Sequence, residues 1–138
     1  MRRGRRRQVD PGQHVKYHQV ARSLRKATLD LHDLAEADDS YGNAIGIIAV
    51  HCAIAFSDTL CIRFGGYKSS EGDHTQAAEA LQDALGTRTD ADLLKNLQRV
   101  LARKDQVSYQ GRYFTVEDAG QIVRDLIAFS EKAEAILA

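Results

Sequence analysis

The residues best suited to chemistry or recognition gather in one stretch, Leu101–Tyr109, LARKDQVSY. Arg103 and Lys104 can pair with phosphates or carboxylates, Asp105 is their polar neighbour, and Tyr109 offers a ring for stacking. The preceding residues Leu93, Leu94, Leu97, Val100 and Leu101 form an apolar helical stripe that turns abruptly polar here. A helix that changes character in this way leaves the core and lines a groove, or else frays at its end. A second candidate pair is His51 and Asp58, seven residues apart and so on one helical face. They read as a polar seam in an apolar helix, either a histidine satisfied within the core or the wall of a cleft.

Other constellations are incomplete. Glu71-Gly-Asp-His74 is one Glu-x-x-His match without the twin that a di-iron bundle needs, so no metal site is expected. His14 and His18 share a face at i, i+4 but have no third ligand nearby in sequence and read as surface histidines. Cys52 follows His51 directly. Adjacent helical residues point about 100° apart, so the two are not a nucleophile–base pair. Cys52 reads as core and Cys61 as partly exposed. Nine residues of helix separate the two cysteines by about 13.5 Å, too far for a disulfide. Two reduced thiols fit a cytoplasmic protein. Phosphate-loop and dinucleotide glycine patterns are missing, and no cofactor is implied.

These side chains need a scaffold, and the sequence describes a helical one. Ala44–Phe56, AIGIIAVHCAIAF, is apolar nearly all round. A helix without a polar face must be surrounded by others, and this run is shorter than the ~20 residues of a membrane span. It belongs to a helix from about Tyr41 to Phe64, stopped by Gly65-Gly66. Before it, a helix from near Val15 carries Val20, Leu24, Ala27, Leu31 and Leu34 as a single stripe. Asp10-Pro11-Gly12-Gln13 can cap its start. Asp73 caps a third helix to about Leu85, and Thr89 or Asp90 begins a fourth. Thr115, with Asp118 in the capping-box position, opens a last helix through Ile136. Strand patterning is absent, except that Val107–Phe114 can briefly extend. Gly42 and Gly46 have the small-xxx-small spacing that admits a close neighbour or a tight dimer contact. The expected architecture is an all-α, antiparallel up-and-down bundle of four to five helices, each amphipathic helix covering one side of the second.

The chain has 138 residues, sized for one domain. We read 11–138 as that domain and 1–10 as an unstructured basic tail. Its net charge of zero hides an asymmetry: Met1–Arg7 holds five arginines and no acid, which leaves the remainder at −5. Such a tail binds nucleic acid or other polyanions non-specifically, whereas the acidic body argues against a broad DNA-binding face. No apolar run follows the arginines, so no signal peptide is expected.

The order of parts resembles the HEPN family of small helical bundles. AIGIIAVHCAIAF looks like that family's second helix, often read as AYYAxFHAA. Gly72-Asp73-His74 is similar to the start of its next helix. Lys104-Asp-Gln-Val-Ser-Tyr109 resembles its late Arg/Lys-Asn-x-Ala-Asp/Glu-Tyr signature. The resemblance runs from about Tyr17 to Leu137. It implies a bundle that is commonly a homodimer. Many members are metal-independent ribonucleases of toxin–antitoxin or defence systems, with Arg-(x4–6)-His beside a dimer cleft. Others are non-catalytic partners of nucleotidyltransferase-type proteins. Carried over, Arg103 takes the arginine position and Tyr109 falls near the histidine position, where this chain has no histidine. A tyrosine with pKa ~10 is a poor acid–base group at neutral pH. Arg7…His14 and Arg25…His32 also fit the bare spacing, but the first crosses Pro11-Gly12 and the second lies on the wrong helix. The resemblance thus implies binding of a partner protein or nucleic acid, RNA among them, through Arg103, Lys104, Asp105 and Tyr109, with His51 and Asp58 nearby. The alternatives are a metal-independent ribonuclease using Arg103, and a purely structural interaction module. No membrane association is expected.

Overall fold

The computed structural model describes residues 6–69 and 74–138. Expectations placed on Met1–Arg5, Glu71, Gly72 and Asp73 lie outside the described residues. The described chain is an all-α bundle with a small two-stranded ribbon. Its elements are β1 (Arg6–Gln8), α1 (His14–Ala35), α2 (Gly42–Gly65), β2 (Tyr67–Ser69), α3 (His74–Leu85), α4 (Ala91–Leu101), α5 (Lys104–Ser108) and α6 (Val116–Leu137). Helix α2 packs most extensively on α1, then on α6 and α3.

Local chemistry explains most boundaries. Asp90 accepts from the Asp92 N–H at 2.8 Å and starts α4. Thr115 and Asp118 close a reciprocal capping box at the start of α6, at 3.0 and 3.1 Å. Gly66 ends α2 in the left-handed region, φ 71°, where a side chain would be strained. The stripe of α4 is buried as its spacing requires: Leu93, Leu97 and Val100 are fully enclosed. Helix α2 is long and apolar enough to cross a bilayer by composition, but 72% of its most apolar window is buried inside the protein.

Four expectations are corrected. First, Arg6–Gln8 are not an unstructured tail. They pair antiparallel with Tyr67–Ser69, and Val9 N–H extends the pairing to the Gly66 carbonyl at 2.9 Å. Arg6 is spent locally, in a 2.8 Å ion pair with Asp83 and over the Tyr67 ring. Second, the extended segment is therefore here, while Val107 lies in helix α5.

Third, α2 is not ringed on all sides. Ala44 and His51 are exposed, and Ile47, Ile48 and Ile54 are half-buried. Fourth, the stripe of α1 does not face the core. Val20 is 53% exposed and Leu34 69%. The helix instead seats small residues against α2: Ala21, Thr28 and Ala35, spaced by seven, are buried. Small side chains let the two backbones approach, and the Cys52 thiol reaches the Ala21 carbonyl at 3.4 Å. On its other flank α1 joins α6 through polar groups. His18 and Arg22 hold Glu134 at 2.6 and 2.8 Å, and Arg25 donates to the Ser130 hydroxyl at 2.8 Å. The Arg22 guanidinium, then His18, keeps the Glu134 carboxyl below its usual range.

Candidate functional site

The site is assembled where α4, α5 and the loop to α6 meet the start of α2. Glycine makes this possible. A methyl group on Gly42 would fall on the Phe114 carbonyl, and one on Gly46 would come within 2.9 Å of Val107 Cγ1. The small-xxx-small spacing thus serves a close approach within the chain. Asn43 then fastens the loop. Its amide donates to the carbonyls of Val107 (3.2 Å) and Arg112 (2.9 Å), and its oxygen accepts from the Phe114 N–H at 2.9 Å. Sequence reasoning overlooked Asn43. The available signal was an amide side chain in the first turn of an otherwise apolar helix, where such residues commonly bond nearby backbone. Asp39 adds a bond to the Val116 N–H at 2.9 Å.

Arg103 ends the polar turn between α4 and α5. Its guanidinium donates to Asp125 on α6 at 3.0 Å and to the Arg99 carbonyl at 3.1 Å. Arg99 approaches the same carboxylate at 4.0 Å. With Gln121 and Arg124 these residues line an open groove of about 240 Å³. Three arginines against one aspartate leave its lining at +2. Arg103 is therefore a tethered cation, which helps hold α4 to α6.

Lys104, half-buried, and Asp105, exposed, open the single turn of α5, and neither makes an ion pair among the described residues. The Asp105 carbonyl accepts from the N–H groups of Tyr109 (2.8 Å) and Gln110 (3.0 Å), ending the helix. Gly111, at φ 69°, then reverses the chain. The loop displays Tyr109 (76% exposed) and Tyr113 (63%) on either side of Arg112. Arg112 rests 5.0 Å over the Phe114 ring and donates to Gln106 at 3.0 Å. Tyr113 was not singled out from the sequence because nothing in a Gln-Gly-Arg-Tyr run shows which ring will be buried.

His51 and Asp58 do not join this tip. His51 is exposed on the middle of α2, not held by a buried partner, and no hydrogen bond or ion pair connects it to Asp58 or to α5 among the described residues. Asp58 lies two turns further along, half-buried. Burial pushes its carboxyl up to about 6, with Lys68 opposing the shift. The sequence reading placed six residues around one groove; the structure distributes them over the α4–α6 groove, the α5 tip and the free face of α2.

The remaining candidates are structural. Both cysteines are free and buried, Cys61 included, and burial pushes each thiol up to about 12. Thiols so shifted are inert as nucleophiles at neutral pH. His18 sits at the α1–α6 seam, edge-on to Phe56 at 6.1 Å, rather than on the open surface, and His14 bonds the Pro11 carbonyl at 2.9 Å. Among the described residues no three His, Cys, Asp or Glu side chains converge as metal ligands would. The chain matches no protein-family model, no curated protein and no solved structure.

Proposed function

We propose that the chain is a HEPN-type bundle that acts by contact, taking single-stranded RNA at the tip formed by α5 and the loop to α6. The observation that carries this reading is the pair of exposed rings, Tyr109 and Tyr113, in the loop after α5, together with a cationic groove on α4 and α6. Bases stack on exposed tyrosines without sequence preference, and arginines and lysines follow the backbone. Arg103, which lines the groove, immediately precedes α5, and Tyr109 immediately follows that helix. Six residues, about 9 Å of helical rise, separate the two, close to a nucleotide step or two. Arg99 and Arg124 supply phosphate contacts, Lys104 adds another, and Arg103 is the tethered member of the set.

Contact is favoured over cleavage by the state of Arg103. A transition-state clamp needs its guanidinium free for the phosphate, and here Asp125 occupies it. The described tip segment, residues 104–115, also holds no histidine to move a proton.

Fluorescence anisotropy with a labelled oligouridylate tests the reading. Wild-type protein binds with an affinity that falls steeply with salt. Tyr109→Ser and Tyr113→Ser each cost about 1–3 kcal/mol, and Arg99→Gln with Arg124→Gln flattens the salt slope. No binding at low salt refutes the proposal. Incubating labelled RNA with the protein in EDTA separates binder from nuclease: cleavage abolished by Arg103→Gln identifies a ribonuclease instead.

A further inference from the structure

The groove between α4 and α6 holds more positive charge than the fold uses. Arg103 commits one nitrogen, Nη1, to both the Asp125 carboxylate and the Arg99 carbonyl, so Asp125 is neutralised by the arginine it tethers. Arg99 comes no nearer than 4.0 Å to that carboxylate, beyond hydrogen-bond length. Arg124, one turn beyond Gln121 on the same wall, has no carboxylate partner among the described residues. Its neighbour on the other side is a histidine. Gly120 carries no side chain, and the nearest groups to the point where its Cβ would stand are His32 Nε2, at 3.5 Å, and Arg124 Nη1, at 3.7 Å. Asp33, next to His32 in the chain, points about 100° away from it. Glu117 and Glu131 stand seven residues to either side of Arg124, about 10.5 Å along α6. At that distance salt screens exposed charges from one another.

We propose that this groove is a phosphomonoester site, and that it takes the phosphorylated end of the strand bound at the tip. Once Arg103 and Asp125 have cancelled, Arg99 and Arg124 leave two positive charges around one opening. A terminal phosphate carries about −1.5 to −2 at neutral pH, whereas an internal phosphodiester carries a single charge. The end of a strand therefore gains from both free arginines at once. Guanidinium N–H groups match phosphate oxygens in pairs, and the exposed Gln121 amide adds a donor on the same wall. Asp125 sharpens the choice, because its carboxylate repels an anion that engages one arginine alone. Size agrees with charge. A volume of about 240 Å³ lies below the ~300–1,000 Å³ of pockets that enclose a whole drug-sized ligand. It equals the share of roughly eight waters in the liquid, room for a hydrated phosphate and not for a nucleoside as well. The source of the phosphate rests on the RNA reading; the site itself does not.

Two measurements on the full chain test it. Fluorescence anisotropy compares internally labelled oligouridylates bearing a 5′-phosphate, a 3′-phosphate or hydroxyls at both ends. One phosphorylated form binds at least tenfold more tightly than the form with two hydroxyls. Arg99→Gln and Arg124→Gln each remove most of that ratio. His32→Glu gives Arg124 a carboxylate neighbour and reduces the ratio although no arginine is lost. Asp125→Asn frees Arg103 and tightens the hydroxyl-ended form, so the ratio shrinks from the other side. Tyr109→Ser weakens all three oligonucleotides alike. Calorimetric titration with uridine 5′-monophosphate, against uridine, reads the site without a strand: the monophosphate binds one to one and uridine does not. Monophosphate binding that needs Arg124, with no binding of any oligonucleotide, refutes the RNA reading and leaves the site in place for a free nucleotide. Equal affinity of the three oligonucleotides overturns the strand end as the ligand. Absence of monophosphate binding overturns the site, as does a preference that survives Arg99→Gln with Arg124→Gln. A phosphoserine peptide that displaces the monophosphate better than any oligonucleotide overturns the assignment to RNA.

Discussion

Replacing Asp58 by Asn should stabilise the protein at neutral pH, although Asp58 was among the candidate binding residues. The carboxyl is half-buried near the C-terminal half of α2, and desolvation raises its pKa from 3.8 to about 6. In the folded state it therefore holds a proton more tightly than in the unfolded chain. Between about pH 4 and pH 6 the folded state binds the extra proton, so stability falls as pH rises through that window. A tenfold difference in proton affinity between the two states corresponds to about 1.4 kcal/mol. Without solvent screening the carboxylate would cost about 3 kcal/mol above pH 7, and partial solvent access reduces this to about 1–2 kcal/mol. Asparagine has the same shape and no charge, so it removes the cost. Urea unfolding of wild type and Asp58→Asn from pH 4 to pH 8 measures it. The two should be nearly equal near pH 4 and diverge in favour of the variant as pH rises through about 6. A variant less stable at pH 7, or a difference that does not change with pH, would refute the desolvation argument.

Three further substitutions probe how the tip is held. Gly42→Ala should cost ~3 kcal/mol or more in chemical denaturation, because the added methyl meets the rigid Phe114 carbonyl. Asn43→Ala removes three hydrogen bonds to the loop; it should cost about 2–3 kcal/mol and speed amide exchange at Phe114. Thr115→Ala breaks the capping box at the start of α6 and should cost about 0.5–2 kcal/mol, read as a lower thermal midpoint.

The parts of this protein that were legible without coordinates are the ones set by short-range chemistry. The Thr115–Asp118 box, the Asp90 cap and the Gly66 stop involve partners within a few residues, so helix limits follow from spacing alone. The stripe of α4 was equally legible, because one face of a helix must be covered and its leucines mark which one. Where two faces compete, the pattern does not decide. On α1 the large residues Val20, Leu24, Leu31 and Leu34 announced a buried stripe, yet Ala21, Thr28 and Ala35 took the place against α2. Their small side chains allow close approach, and the polar bonds to Glu134 and Ser130 secure the other flank.

Long-range pairing was illegible for the same reason. Arg6 finds Asp83 across 77 residues and Arg103 finds Asp125 across 22. Nothing in the local spacing of an arginine says whether it will be spent on an internal carboxylate or left for a ligand. The order of residues by itself determined a mainly helical chain, most of its helix ends and an apolar second helix, but not the β1–β2 ribbon or the break between α4 and α5. Folding decided which faces met, which cations were consumed, that His51 stands in solvent and that Tyr113 joins Tyr109 at the tip. Secondary structure answers to neighbours along the chain, whereas exposure answers to neighbours in space.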